Sequence, residues 1–218
     1  PNVSGGDHAF GLETVSDLRV NVANAALTVP NEVRSATIEP VRVQSQKLGD
    51  GLWLIGGGSH NSVAVEFRDH VAVIEAPLNE ERSLAVIGEV NRIIPNKPIQ
   101  FIVNTHHHWD HLGGIRTYVH EGLHARPWTL QPDRFSLYPP EEWSEGYIFE
   151  TVREKYILGD DTRTVELYNV QGLGHAAGML IAYVPKEKIV VQADLYNPQA
   201  PAPNASNRTF YQNLQRLK

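Results

Sequence analysis

The chain has 218 residues, of which 41% are hydrophobic and 20% charged, with a net charge of −6 and no cysteine. This length and apolar content suffice to bury the core of a single domain. The acidic balance and scattered basic residues argue against a nucleic-acid partner. No apolar run approaches the roughly 20 residues that cross a membrane, so no membrane partner is expected. Without cysteine, disulfides and thiolate metal ligands are excluded.

The first 46 residues are polar and are predicted to form an N-terminal arm or edge strands, whereas residues 47–218 are predicted to form one domain. No signal peptide is visible, but the chain begins at Pro1 rather than methionine. We therefore expect a processed or trimmed terminus, and the compartment stays open between bacterial periplasm or secretion and cytoplasm.

Hydrophobic periodicity predicts a strand-rich fold with few helices. A helix is predicted over residues 79–94, because apolar residues from Leu84 to Ile94 recur at three- and four-residue spacing. A last amphipathic helix is predicted over residues 209–218, with Phe210, Leu214 and Leu217 on one face. The other predicted elements are strands at 52–55, 62–67, 71–75, 99–103, 164–170, 179–184 and 188–193 and a helix at 113–119.

The most informative segment is a cluster of histidines directly after the strand predicted at 99–103. Residues alternate sides in an extended chain, so His106, His108 and Asp110 share one face, and His111 follows as the chain tightens. Imidazole and carboxylate are ligands that zinc and similar divalent metals accept. An expression tag would lie at a terminus and lack the interleaved aspartate, so the pattern predicts a metal site.

The pattern His106-x-His108-x-Asp110-His111 resembles the signature of the metallo-β-lactamase superfamily. Gly174-His175-Ala176-Ala177-Gly178 is similar to its Gly-His-x-x-Gly loop, and Asp194, after an apolar strand, is similar to its metal-bridging aspartate. Glu75 stands where the family usually has an aspartate that supports the metal loop. The resemblance implies an α+β fold, a four-layer αββα sandwich.

The resemblance also implies roles for these residues. His106, His108 and His175 would hold one metal, Asp110 and His111 a second, and Asp194 would bridge the two. Asp110 would also be catalytic, orienting a metal-bound hydroxide and moving a proton. The expected cofactor is Zn²⁺, one or two per chain, with iron or manganese as alternatives. His60 and Glu75 are candidates for lining or supporting the site.

One departure from the family is that no histidine follows His175, although the family supplies a further ligand after the bridging aspartate. We therefore expect a C-terminal half that is incomplete, lacking its last strand and last ligand histidine. The second metal would then be weak, absent or completed by another chain, with His60 as a candidate substitute. An unfinished sheet exposes an edge, so a homo-oligomer formed through that edge is also expected.

Three functions fit these observations. The first is a zinc-dependent hydrolase acting on a small-molecule ester, thioester, lactone or β-lactam, with activity weakened by the missing ligand. The second is a mononuclear iron oxidoreductase of the same fold, similar to persulfide dioxygenases. The third is a catalytically inactive remnant. The ligand set and the metal-bound hydroxide that it would support favour the hydrolase. Pocket shape decides the substrate, so the substrate stays open.

Overall fold

The computed structural model describes residues 3–5, 8–11, 16, 20, 28–121 and 151–217. The chain forms two compact units, residues 1–39 and 40–218. In the first unit, strands β1 (Val3–Gly5) and β2 (His8–Gly11) pair in antiparallel fashion, and a short helix α1 spans Asn31–Arg34. The domain boundary predicted between residues 46 and 47 falls inside the first strand of the second unit, β3 (Gln44–Gly49).

A five-stranded sheet follows in the order β3-β4-β5-β6-β7. Its remaining strands are β4 (Leu52–Gly56), β5 (Ser62–Glu66), β6 (Val71–Ile74) and β7 (Ile99–Val103). Strands β3 to β6 pair as antiparallel neighbours, whereas β6 and β7 run parallel. A parallel pair needs a crossover, which helix α2 (Glu80–Ile93) provides. The carboxyl ends of β6 and β7 therefore lie side by side.

Helix α2 lies within the predicted range and buries most of its predicted apolar face, including Ile87 and Val90. Its N-cap is Asn79, whose side chain accepts a hydrogen bond from the Arg82 amide at 3.0 Å. Leu84 is 41% exposed, while Arg82 and Val86 are buried. The predicted apolar face was therefore wrong at its first position, because the helix turns the Arg82 side chain inward.

Two short helices, α3 (Trp109–Leu112) and α4 (Ile115–His120), follow the histidine cluster. A second sheet, antiparallel throughout, has the strand order β11-β10-β9-β8. Its strands are β8 (Lys155–Gly159), β9 (Thr164–Asn169), β10 (Leu180–Val184) and β11 (Ile189–Val191). Helix α5 (Ala205–Arg216) begins four residues before the predicted start, at a capping box formed by Asn204 and Asn207.

The hydrophobic clusters define four layers. One cluster, including Val65 and Leu167, lies between the two sheets. A second packs the outer face of the first sheet against α2 and α4, and a third packs the outer face of the second sheet against Phe210 and Leu214 of α5. The predicted αββα sandwich is confirmed. None of the helices in the described ranges is both long and apolar enough to cross a membrane.

Close backbone packing connects the histidine segment to the start of α2. The Gly114 amide donates to the Ala76 carbonyl at 3.0 Å. A Cβ atom on the preceding Gly113 would lie 2.2 Å from the Leu78 carbonyl oxygen and 2.6 Å from that of Trp109. Backbone oxygens cannot move aside as a flexible side chain would. Only glycine therefore lets the chain pass at this point.

Replacing Gly113 with alanine is expected to destabilise the protein by about 1–3 kcal/mol, because the added methyl overpacks against backbone. The matched control is Gly88→Ala, at an exposed position of α2 where a Cβ meets nothing within 4 Å. That control should stabilise the protein by about 0.5–1 kcal/mol, since alanine is the better helix former. Urea unfolding midpoints measure both effects, and equal midpoints for the two variants would contradict the packing argument.

Candidate metal centre

The histidine cluster begins at the carboxyl end of β7, beside the end of β6. Glu75, the residue after β6, is buried and has a φ of 74°. Its carboxylate accepts the Thr105 amide at 2.7 Å and faces Nδ1 of His111 at 2.6 Å. The Asn104 side-chain amide donates to the His111 carbonyl at 2.8 Å. These buried contacts fix the loop that carries the predicted ligands.

The first donor group consists of His106, His108, His175 and Asp194, whose donor atoms all lie within 4.8 Å of one another. Nε2 of His106 lies 3.1 Å from Nδ1 of His108 and 3.4 Å from Oδ2 of Asp194. Nε2 of His175 lies 3.1 Å from the same carboxylate oxygen. The structure thus brings together ligands predicted from three separate segments of the chain.

The second donor group consists of His60, Asp110 and His111. Oδ2 of Asp110 lies 3.3 Å from Nε2 of His60 and 3.6 Å from Nε2 of His111. His111 Nε2 is also 3.1 Å from Oδ2 of Asp194, which belongs to the first group. Asp194 therefore lies between the two groups.

These separations suit metal ligands. Donor atoms held about 2.0–2.1 Å from one tetrahedral ion lie about 3.3 Å apart, close to the distances within both groups. Nε2 of His111 is buried and no hydrogen bond satisfies it within the described part of the chain. A buried ring nitrogen without a hydrogen-bond partner can bind a divalent cation when it gives up its proton. The residues present therefore fit the predicted metal.

Comparison with known proteins agrees with this geometry. Residues 55–199 match the family described as the metallo-beta-lactamase superfamily, and the match covers more than half of the chain. The chain belongs to the metallo-beta-lactamase superfamily. This confirms the superfamily that the sequence motifs predicted. Members of this superfamily are mostly hydrolases, and its fold implies a divalent metal.

Solved structures of similar fold include a metallo-beta-lactamase from Pontibacter korlensis, with a TM-score of 0.60 and 19% identity over 81% of this chain and 86% of that one. The DIM-1 metallo-beta-lactamase gives a TM-score of 0.63 and 15% identity over 80% and 84%. A curated linear primary-alkylsulfatase from Pseudomonas sp is 26% identical over 92 residues. That match covers 42% of this chain and only 13% of the sulfatase.

The carboxylates and imidazoles of the two donor groups stabilise one another's charged forms. The imidazoles of His106 and His111 hold the pKa of the Asp194 carboxyl well below its usual range. Burial alone would lower the pKa of His111, but the Asp194 and Glu75 carboxylates raise it to about 10. Burial and the neighbouring His106 lower the pKa of His108. The Asp194 carboxylate therefore carries negative charge between the two donor groups.

Sequence reasoning missed the residues that hold the C-terminal ligands in place. Asn207 of α5 donates to the Leu195 carbonyl at 2.7 Å, one residue after Asp194. Asn213, buried on the same helix, exchanges two hydrogen bonds of 3.0 Å with the backbone of Gln171, four residues before His175. A buried asparagine in an amphipathic helix was the available signal. Helix α5 thus positions both ligand loops.

We expect Glu75→Gln to weaken metal binding by about 10–100-fold, because the amide cannot accept from both Thr105 and His111 as the carboxylate does. Metal affinity would be measured by competition with a chromophoric chelator. Glu81→Gln, at an exposed position in the first turn of α2, serves as the control. Equal affinity in wild type and Glu75→Gln would show that the carboxylate does not support the metal loop.

Proposed function

We propose that the protein is a divalent-metal-dependent hydrolase, with zinc as its metal, acting on a small ester, thioester, lactone or β-lactam. The observation that carries this proposal is the pair of adjoining donor groups with Asp194 between them. All the donors are nitrogen and oxygen, the set that zinc accepts in catalytic sites. Zinc bound there would supply Lewis acidity and lower the pKa of a water.

The protein side chains would divide the remaining work. His106 is buried, and the Thr105 hydroxyl lies 3.0 Å from its Nδ1, which fixes the orientation of the ring. His175 and Asp194 keep 32% and 35% of their side chains exposed, so the centre opens to solvent on their side. A substrate would reach the site from this open side, while the buried histidines would hold the geometry.

Asp110 is the candidate for proton transfer. Its side chain is 32% exposed, and its Oδ2 faces two imidazole nitrogens within 3.6 Å. A carboxylate in this position can orient an attacking water and then pass its proton to a leaving group. Buried carboxylates such as Glu75 have no access to a substrate and would be limited to support.

The comparisons widen the range of substrates to test. The solved relatives are named as β-lactamases and the matched curated relative as an alkylsulfatase. A suitable panel therefore contains an aryl ester, a thioester, a lactone, a β-lactam and a primary alkyl sulfate. All five require attack by water at a polarised centre, so a single site could act on any of them.

We expect His106→Ala to lose metal and hydrolysis together, because it removes a buried primary ligand. Elemental mass spectrometry of the purified chain gives the metal content, and the substrate panel gives the rate. His120→Ala is the matched control, since that imidazole is 87% exposed and lies outside both donor groups. Wild-type metal content in His106→Ala would overturn the site, whereas bound iron with oxygen consumption would favour the oxidoreductase.

Asp110→Asn is expected to lower kcat by about 100-fold or more while the three-histidine group keeps its metal, because the amide cannot carry the proton. Turnover and metal content are measured on the same preparation. Asp161→Asn, at an aspartate whose side chain is 62% exposed and paired with Arg68, should change neither. If Asp110→Asn also loses the metal held by His106, His108 and His175, the lower turnover would follow from metal loss and Asp110 would have no separate catalytic role.

A further inference from the structure

A loop between β4 and β5 brings His60 to the metal centre from a part of the chain well before the histidine cluster. Nε2 of His60 lies 3.3 Å from Oδ2 of Asp110, and its ring packs edge-on against His111 with centroids 5.0 Å apart. Only 21% of the His60 side chain is exposed. This imidazole therefore faces Asp110 and His111 more than solvent.

The other ring nitrogen of His60 already has a partner. Nδ1 lies 2.7 Å from the Ser59 hydroxyl. When Nδ1 carries the proton and donates it to Ser59, the lone pair of Nε2 is available to bind a cation beside Asp110. Histidines that bind metals commonly have this arrangement, in which one nitrogen donates to an outer partner and the other ligates.

The loop that carries His60 is held by a buried cation. Arg82 is only 2% exposed, and its guanidinium donates to the carbonyl of His60 at 2.6 Å and to that of Gly57. A positive charge in the first turn of a helix opposes the helix dipole, and its burial lowers the pKa of Arg82. These costs are offset by the contacts that the guanidinium makes. The structure thus fixes the His60 loop firmly.

The loop also fits tightly against the chain that leads into β3. Gly57 has a φ of 148°, and a Cβ atom there would lie 2.4 Å from the Arg42 carbonyl oxygen and 3.0 Å from Nη1 of Arg82. Only glycine allows both the backbone conformation and the close approach. His60 is therefore presented from a rigid turn, which is what a metal ligand requires.

We propose that His60 is a ligand of a second divalent cation, which it shares with Asp110 and His111. This proposal rests on the proposed function and extends it by naming a ligand supplied from the β4–β5 loop. Two imidazoles and one carboxylate form a donor set that zinc and cobalt both accept. The 3.3 Å and 3.6 Å separations from Asp110 match the edge of one coordination tetrahedron, about 3.3 Å.

The test is a titration of the chelator-treated chain with Co²⁺, followed by calorimetry and by the visible absorption of the bound ion. Wild type should bind two ions per chain. His60→Ala should bind the first as wild type does and the second more weakly by over 100-fold, beyond the roughly 10–100-fold typical of an outer partner. His120→Ala is the control and should match wild type.

A second variant separates ligation from a simple hydrogen bond. His60→Gln keeps a donor that can reach Asp110 but removes the imidazole, so a ligand role predicts the same loss of the second ion as in His60→Ala. Retention of that ion in His60→Gln would reduce His60 to a hydrogen-bonding partner and overturn the proposal. Wild-type affinities in His60→Ala, or a wild-type chain that binds only one ion, would also overturn it.

The same titration distinguishes this proposal from the proposed function. If His60→Ala binds both ions normally while His106→Ala loses its metal, the hydrolase centre stands and only the role of His60 fails. If wild type binds no Co²⁺ at all, both proposals fail together. Unfolding midpoints of the metal-free variants should stay close to that of wild type, because Arg82 holds the loop through the backbone carbonyl of His60 and not through its imidazole.

Discussion

The buried carboxylate of Glu75 is the contact on which the metal centre depends. Glu75 directly follows β6, and its backbone has a left-handed conformation. Its carboxylate contacts both the Thr105 amide and the His111 imidazole. The Ser62 hydroxyl donates to the backbone carbonyl of Glu75 at 3.0 Å. Because β6 and β7 run parallel, their carboxyl ends meet at one sheet edge, and a single side chain can join them. The position of the histidine loop follows from that join.

The second sheet also holds the histidine loop and supplies the remaining candidate ligands. The Leu180 amide, at the start of β10, donates to the Thr105 carbonyl at 2.8 Å and connects the second sheet to the histidine loop. His175 and Asp194 flank β10 and β11, and helix α5 holds the backbone near both. Candidate ligands that follow β7 and those that flank β10 and β11 thus meet where the two sheets lie side by side. The centre exists only when the two halves of the sandwich have packed together.

Much of this arrangement could be predicted from sequence, and what could not has a physical reason. The cluster from His106 to His111 and helix α2 rest on local spacing, which a sequence shows directly. Strand β8, the exposure of Leu84 and the inward turn of Arg82 depend on contacts with distant segments. His60 was predicted as a candidate for lining the site or for replacing the missing ligand, but its neighbours could not be predicted, because tertiary packing sets the approach of its loop to Asp110.

The geometry of the centre is costly for the metal-free chain. Glu75 and Asp194 both hold a positive φ, a conformation that costs a non-glycine residue of order 1 kcal/mol or more. A cation that binds the folded chain but not the unfolded chain would offset this cost by mass action. The strain at the strand ends is therefore best understood as part of a site that is built to be filled.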